Sequence, residues 1–138
     1  MKIEGYRPHG ERHETDELHM LLSIKVDDFL KEQRRGNNKK HAEKLVLILA
    51  NIRRNGLPDV NNNTMFVREG RFPAGRAGVA DMAVYAAKAF QLRIYGGLVR
   101  IGGQSVFLCP EAAVKKRDLA DRAQLERVAK ILGEHHER

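Results

Sequence analysis

The sequence predicts an α+β domain: an antiparallel, curled sheet of three to five strands, with an N-terminal helical hairpin packed on one face and a C-terminal helix. Three observations carry that expectation. Ala42, Leu45, Val46, Leu49 and Ile52 recur at three- and four-residue spacing, which predicts a helix over 39–55. Beyond Pro58 the period changes to short alternating runs separated by Asn and Gly clusters, the pattern of strands and turns. Leu125, Val128, Ala129 and Leu132 then restore a helical stripe near the end.

Residues 1–16 are polar and aperiodic, with Gly5, Pro8 and Gly10, and are expected to form a flexible leader ahead of a single domain at 17–138. The apolar run 18–26 is expected to be a strand, with Asp27 capping a short helix that stops at Gly36-Asn37-Asn38. The 39–55 helix ends at Gly56, and Pro58 prevents its resumption. Residues 64–68 form a short strand and 70–78 a loop rich in Gly and Arg. Over 84–95 the alternation sets Phe90, Leu92 and Ile94 on one side and Gln91, Arg93 and Tyr95 on the other. Gly96-Gly97 marks a turn or bulge, Gly102-Gly103 a turn, and 105–109 a last strand ended by Pro110. The closing helix is expected over 118–133. Helices gathered on one face would leave the Arg93 face open for function.

Lys and Arg number 25 against 18 Asp and Glu, a net charge of +7, which favours phosphate-bearing partners. Cys109 is the only cysteine, so an internal disulfide is excluded and a reducing, cytoplasmic location is expected. No run approaches the roughly 20 apolar residues that span a bilayer, so no membrane partner is expected. His9, His13 and His19 are too loosely spaced for a metal site, and no cofactor is implied.

The helix ending LILANIRRNG, the run AFQLRIYGG and the segment VFLCPEAAVKKR before a charged helix occur in an order that resembles the RelE/ParE superfamily of bacterial toxins, in particular HigB-like, phage-associated members. The resemblance implies a RelE-like domain and the toxin component of a type II toxin–antitoxin system. It further implies a metal-independent, ribosome-associated mRNA endonuclease neutralised by a cognate antitoxin, with mRNA and ribosome as targets. ParE-like members instead inhibit DNA gyrase. A basic phage or plasmid protein that binds nucleic acid without chemistry is the alternative from another class.

RNA cleavage needs a base for the 2′-hydroxyl, cationic stabilisation of the phosphate and an acid for the leaving oxygen. Arg93, mid-ribbon and opposite in parity to Leu92 and Ile94, is the expected phosphate clamp. Tyr95 shares its side, for stacking or proton donation, and Lys115 and Lys116 follow the last strand as further catalytic candidates. Expected RNA contacts are Lys39, Lys40, His41, Arg71, Arg76, Lys88, Arg100 and Arg117, although Lys88 has the parity of Phe90 and would need a bulge to reach the site. Cys109 is expected to be a buried strand residue.

Overall fold

A computed structural model describes residues 1–61, 63–116 and 121–137. In chain order the elements are β1 (Tyr6–Pro8), β2 (His19–Ser23), α1 (Ile24–Arg35), α2 (Lys39–Asn55), β3 (Phe66–Phe72), β4 (Met82–Ala89), β5 (Leu92–Ile101), β6 (Gln104–Val114) and α3 (Arg122–His135). The strands form one six-stranded sheet in the order β1-β2-β6-β5-β4-β3. The fold remains α+β, but the expected small RelE-like domain with an antiparallel sheet of three to five strands is overturned: the sheet has six strands and is mixed, because β2 runs parallel to β6. Two helices between β2 and β3 make that direction possible, since a parallel neighbour requires a long crossover.

The helices also divide differently from expectation. α1 and α2 bury Leu30, Leu45, Leu49 and Ile52 with Leu92, Ile94, Phe107 and Cys109 on one face of the sheet. α3 buries Leu125, Val128 and Leu132 with Val84, Ala86, Tyr95, Val99 and Leu108 on the other. Both faces are covered, so no whole face is left open. Each large apolar side chain buried this way stabilises the fold by about 1.5–3 kcal/mol.

Local signals explain the boundaries. Ser23, not Asp27, caps α1: its hydroxyl oxygen accepts from the Val26 N–H at 3.1 Å, while its own Oγ–H donates to the Pro110 carbonyl at 2.8 Å. Asp27 lies in the first turn and pairs with Arg7 at 2.7 Å and Lys31 at 3.0 Å. α2 spans the expected residues and ends at Gly56, whose φ of 82° is the left-handed conformation Gly permits. α3 begins at Arg122, with Asp121 accepting from the Ala123 N–H at 3.0 Å, and the expected start at Asp118 lies outside the described residues.

Pro110 does not end the last strand, which continues to Val114. Tyr95 pairs with Glu111 and Gly97 with Leu108, so Cys109 and Pro110 together stand opposite Gly96 in a β-bulge. The bulge absorbs a residue without an N–H inside a central strand. The segment expected as a leader contributes β1, and is tied to α2 where Arg53 Nε meets Asp16 at 3.1 Å and Arg53 Nη1 donates to the His9 carbonyl at 2.8 Å. Both side chains of that ion pair are buried. Among the described residues no helix is long and apolar enough to cross a membrane.

Gly97 lets α3 approach the sheet, since a Cβ there would lie 2.6 Å from Leu132 Cδ1 and 2.7 Å from the Ala83 carbonyl oxygen. Gly97→Ala is expected to destabilise by about 1–3 kcal/mol in denaturant unfolding, the usual cost of overpacking. An unchanged midpoint would contradict this packing.

Candidate nucleic-acid interface

The β4–β5 hairpin tip and the α1–α2 turn occupy the same end of the molecule. The His41 ring, in the first turn of α2, stacks on Phe90 with centroids 4.8 Å apart and planes inclined by 23°. α1 ends in Arg34 and Arg35, and α2 begins with Lys39 and Lys40, so that turn is a run of cations. The Lys115 N–H donates to the Gln91 carbonyl at 2.7 Å, which brings Lys115 and exposed Lys116 to the same end.

Phe90 is the singular residue of this end. Ala89 pairs with Leu92, leaving Phe90 and Gln91 as a two-residue loop. Phe90 has φ 52°, at a position glycine ordinarily fills, and is 62% exposed. Such a backbone conformation for a bulky residue costs about 1–3 kcal/mol and persists only where neighbours enforce it. Arg93 is one of those neighbours: Nη1 donates to the carbonyls of Phe90 at 2.7 Å and Leu92 at 3.0 Å. The fold therefore holds the Phe90 backbone in a strained conformation, with its ring largely exposed and stacked on His41.

Beside the ring lies a pocket of about 430 Å³ lined by His41, Lys44, Thr64, Lys88, Phe90 and Arg93, among others. Lys88 and Arg93 are direct partners in the hairpin, so their side chains leave the same face. Adjacent like charges oppose each other, and Lys88 is relieved by Glu69 at 3.2 Å.

The expected site is corrected in several places. Arg93 is not an outward clamp; it is buried on the α3 side and binds its own hairpin. Tyr95 is buried at 2% exposure, and burial, with Glu69 adding to it, pushes its phenol up to about 12. It neither stacks on an external base nor acts as a surface acid. Lys88 does share a face with Arg93, because the loop at Phe90-Gln91 resets the alternation that would set it apart. Lys39, Lys40, His41, Lys115 and Lys116 are brought together at the hairpin end.

Three others are not. Arg76 caps α3, donating to the carbonyls of Gly133, Glu134 and His136 at 3.0–3.1 Å. Arg71 donates to the Asp81 carbonyl at 3.0 Å, and the Arg100 N–H donates to His136 Nδ1 at 3.0 Å. They lie toward the other end, roughly 25 Å along β5 at the usual strand rise. Arg117 lies outside the described residues. Cys109 is buried as expected, and burial pushes its thiol up.

Sequence reasoning missed Phe90, Lys44, Glu69 and Glu111. Phe90 carries no turn signal, being an apolar residue within an alternating run. Glu111 anchors α3: its carboxylate accepts from Gln124 Nε2 at 3.2 Å and from Arg127 Nε at 3.0 Å and Nη2 at 2.9 Å.

No known family is matched. Comparison with family models, with curated proteins and with solved structures finds nothing similar to this chain.

Burial alone would raise the Glu111 carboxyl, but hydrogen bonds from Arg127 and Gln124 outweigh it and hold the group below its ordinary 4.5. Because the folded value is the depressed one, this stabilisation is complete above that pH and is lost as pH falls through the folded value. Thermal melts of Glu111→Gln are expected to differ from wild type at neutral pH and to converge with it in acid. Parallel melting curves across the whole range would refute the linkage.

Proposed function

We propose that the protein binds single-stranded RNA at its hairpin end, and that the exposed Phe90, stacked on His41 beside Lys44 at an end of the molecule rich in lysine, is the observation that carries this reading. Proteins that hold single strands combine a basic track for the backbone with aromatic rings on which bases stack. Lys39, Lys40, Lys44, Lys115 and Lys116 supply the track, and Phe90 offers the ring. The net charge of +7 acts in the same direction at long range.

A second reading retains the cleavage that the toxin resemblance implies. The Glu69–Lys88 ion pair, next in the hairpin to Arg93, favours it. That arrangement supplies a carboxylate to accept a 2′-hydroxyl proton and cations for the developing phosphate charge, without needing Arg93 as a surface clamp. Under this reading the mRNA is cut at the ribosome and a cognate antitoxin restrains the protein.

Fluorescence anisotropy with a short RNA of mixed sequence tests the first reading. Phe90→Ala is expected to weaken binding by about 1–3 kcal/mol, the range for removal of one base-stacking ring. Lys39→Glu with Lys40→Glu is expected to flatten the salt dependence, by a slope of about 0.7 for each phosphate no longer neutralised. Binding insensitive to both variants would move the interface elsewhere. Induced expression followed by mapping of mRNA 5′ ends tests the second reading: codon-phased cuts that disappear in Glu69→Gln are expected, and uncut message with normal growth would reject cleavage.

A further inference from the structure

The cationic pocket at Phe90 does not close at Lys44. A second cavity of about 570 Å³ runs on from it along α2, and both are lined by Lys44 and Met65. Its lining is apolar where Ile48, Ile52, Leu57 and Phe66 meet and amide-rich where Asn51, Asn55 and Asn63 stand. Leu47, also lining it, is 64% exposed, and Phe90 in the adjoining pocket is 62% exposed. They are the two most exposed large apolar residues of those described, and they mark the two halves of one groove.

The groove therefore changes character along its length, from flat apolar surface with polar amides to concentrated positive charge. A nucleotide has the same sequence of features: a base with apolar faces and a hydrogen-bonding edge, then an anionic phosphate. The volume falls within the range of small-ligand pockets. Asn63 sharpens the chemistry. Its Oδ1 accepts from the N–H groups of Met65 at 2.8 Å and Phe66 at 3.0 Å, so its amide is fixed with Nδ2, a donor, as the other polar end. Asn51 and Asn55 line the same half of the groove with further amide donors. Paired donors suit an edge with two acceptors, and the O6/N7 edge of guanine is that edge.

Resting on the RNA-binding reading above, we infer that this groove is a base-selecting subsite: it receives one unstacked purine, guanine in preference to adenine, between Leu47 and the Met65–Phe66 wall. The neighbouring phosphate then sits over His41 and Lys44. Phe90 takes an adjacent base by stacking. Selectivity belongs to the apolar half of the groove and general affinity to the cationic half.

Four short RNAs test this, identical but for a central guanine, adenine, uracil or abasic site, titrated by anisotropy against the whole chain. The guanine RNA is expected to bind about tenfold more tightly than the abasic one, as one stacked and hydrogen-bonded base allows. Asn63→Asp keeps the Oδ1 acceptor for Met65 and Phe66 but loses the donor, and is expected to abolish the guanine advantage while the abasic RNA still binds. Asn51→Leu, at an exposed helical position, supplies an independent arm should Asn63→Asp fail to fold; it is expected to reduce the guanine-to-abasic ratio. Equal binding of all four RNAs, unchanged in both variants, would overturn the subsite and leave RNA binding standing. Binding of none would overturn both. Saturation of the groove by a peptide of alternating Leu and Glu, with the RNAs unable to compete, would assign it to an acidic protein partner and overturn the subsite as well.

Discussion

The alignment of β2 along β6, with His19 to Leu22 beside Val106 to Cys109, is the pairing on which the rest of the molecule depends. It joins segments nearly ninety residues apart, and it makes β6 an interior strand between β2 and β5. A strand in that position is covered on both faces, which is why Val106 to Cys109 reads as an unbroken apolar run. Closing so long a loop costs entropy that grows only slowly with its length, about 0.6 kcal/mol for each doubling. Burial of Met20, Leu21 and Leu22 beside Val106 to Cys109 is ample to offset that increment.

That closure also decides where the charges stand. Once β2 lies beside β6, α1 and α2 must cross one face of the sheet and return toward β3, and their connecting turn falls over the β4–β5 tip. Cations distant in sequence, Lys39 and Lys40 on α2 and Lys115 and Lys116 after β6, become neighbours of one hairpin. The sheet is also the reason Arg93 is internal. α3 packs on the face that Arg93 shares with Tyr95, and the guanidinium finds acceptors in the hairpin's own carbonyls. Those bonds offset part of the cost of burying the charge. In that place it maintains the backbone under Phe90.

The legible parts of the sequence are those in which one residue type has one physical use. The stripe from Ala42 to Ile52 and the Gly56 stop specify α2 to the residue, because helical spacing and a left-handed cap have few other readings. Gly102-Gly103 behaves similarly, both residues having positive φ. The candidate site is less legible. Lys39, Lys40 and His41 can be placed as a basic helix start, but their proximity to Lys115 depends on pairings that no local window contains. Strict alternation carried through Phe90-Gln91 puts Lys88 and Arg93 on opposite faces, whereas a tight loop without Gly or Asn reverses the chain there and unites them.

Composition and local pattern by themselves determined the class of elements, the extent of α2, the excess of positive charge and the lone cysteine that excludes an internal disulfide. Tertiary structure alone decided the sixth strand, the direction of β2, the covering of both faces, the burial of Arg93 and Tyr95, and the groove from Leu47 to Phe90. The division follows from the range of the forces. Helical periodicity and turn chemistry act within a few residues and leave their mark on adjacent letters. Strand partners, burial and the meeting of charges depend on chain closure over many tens of residues, and the same local pattern is compatible with several such closures.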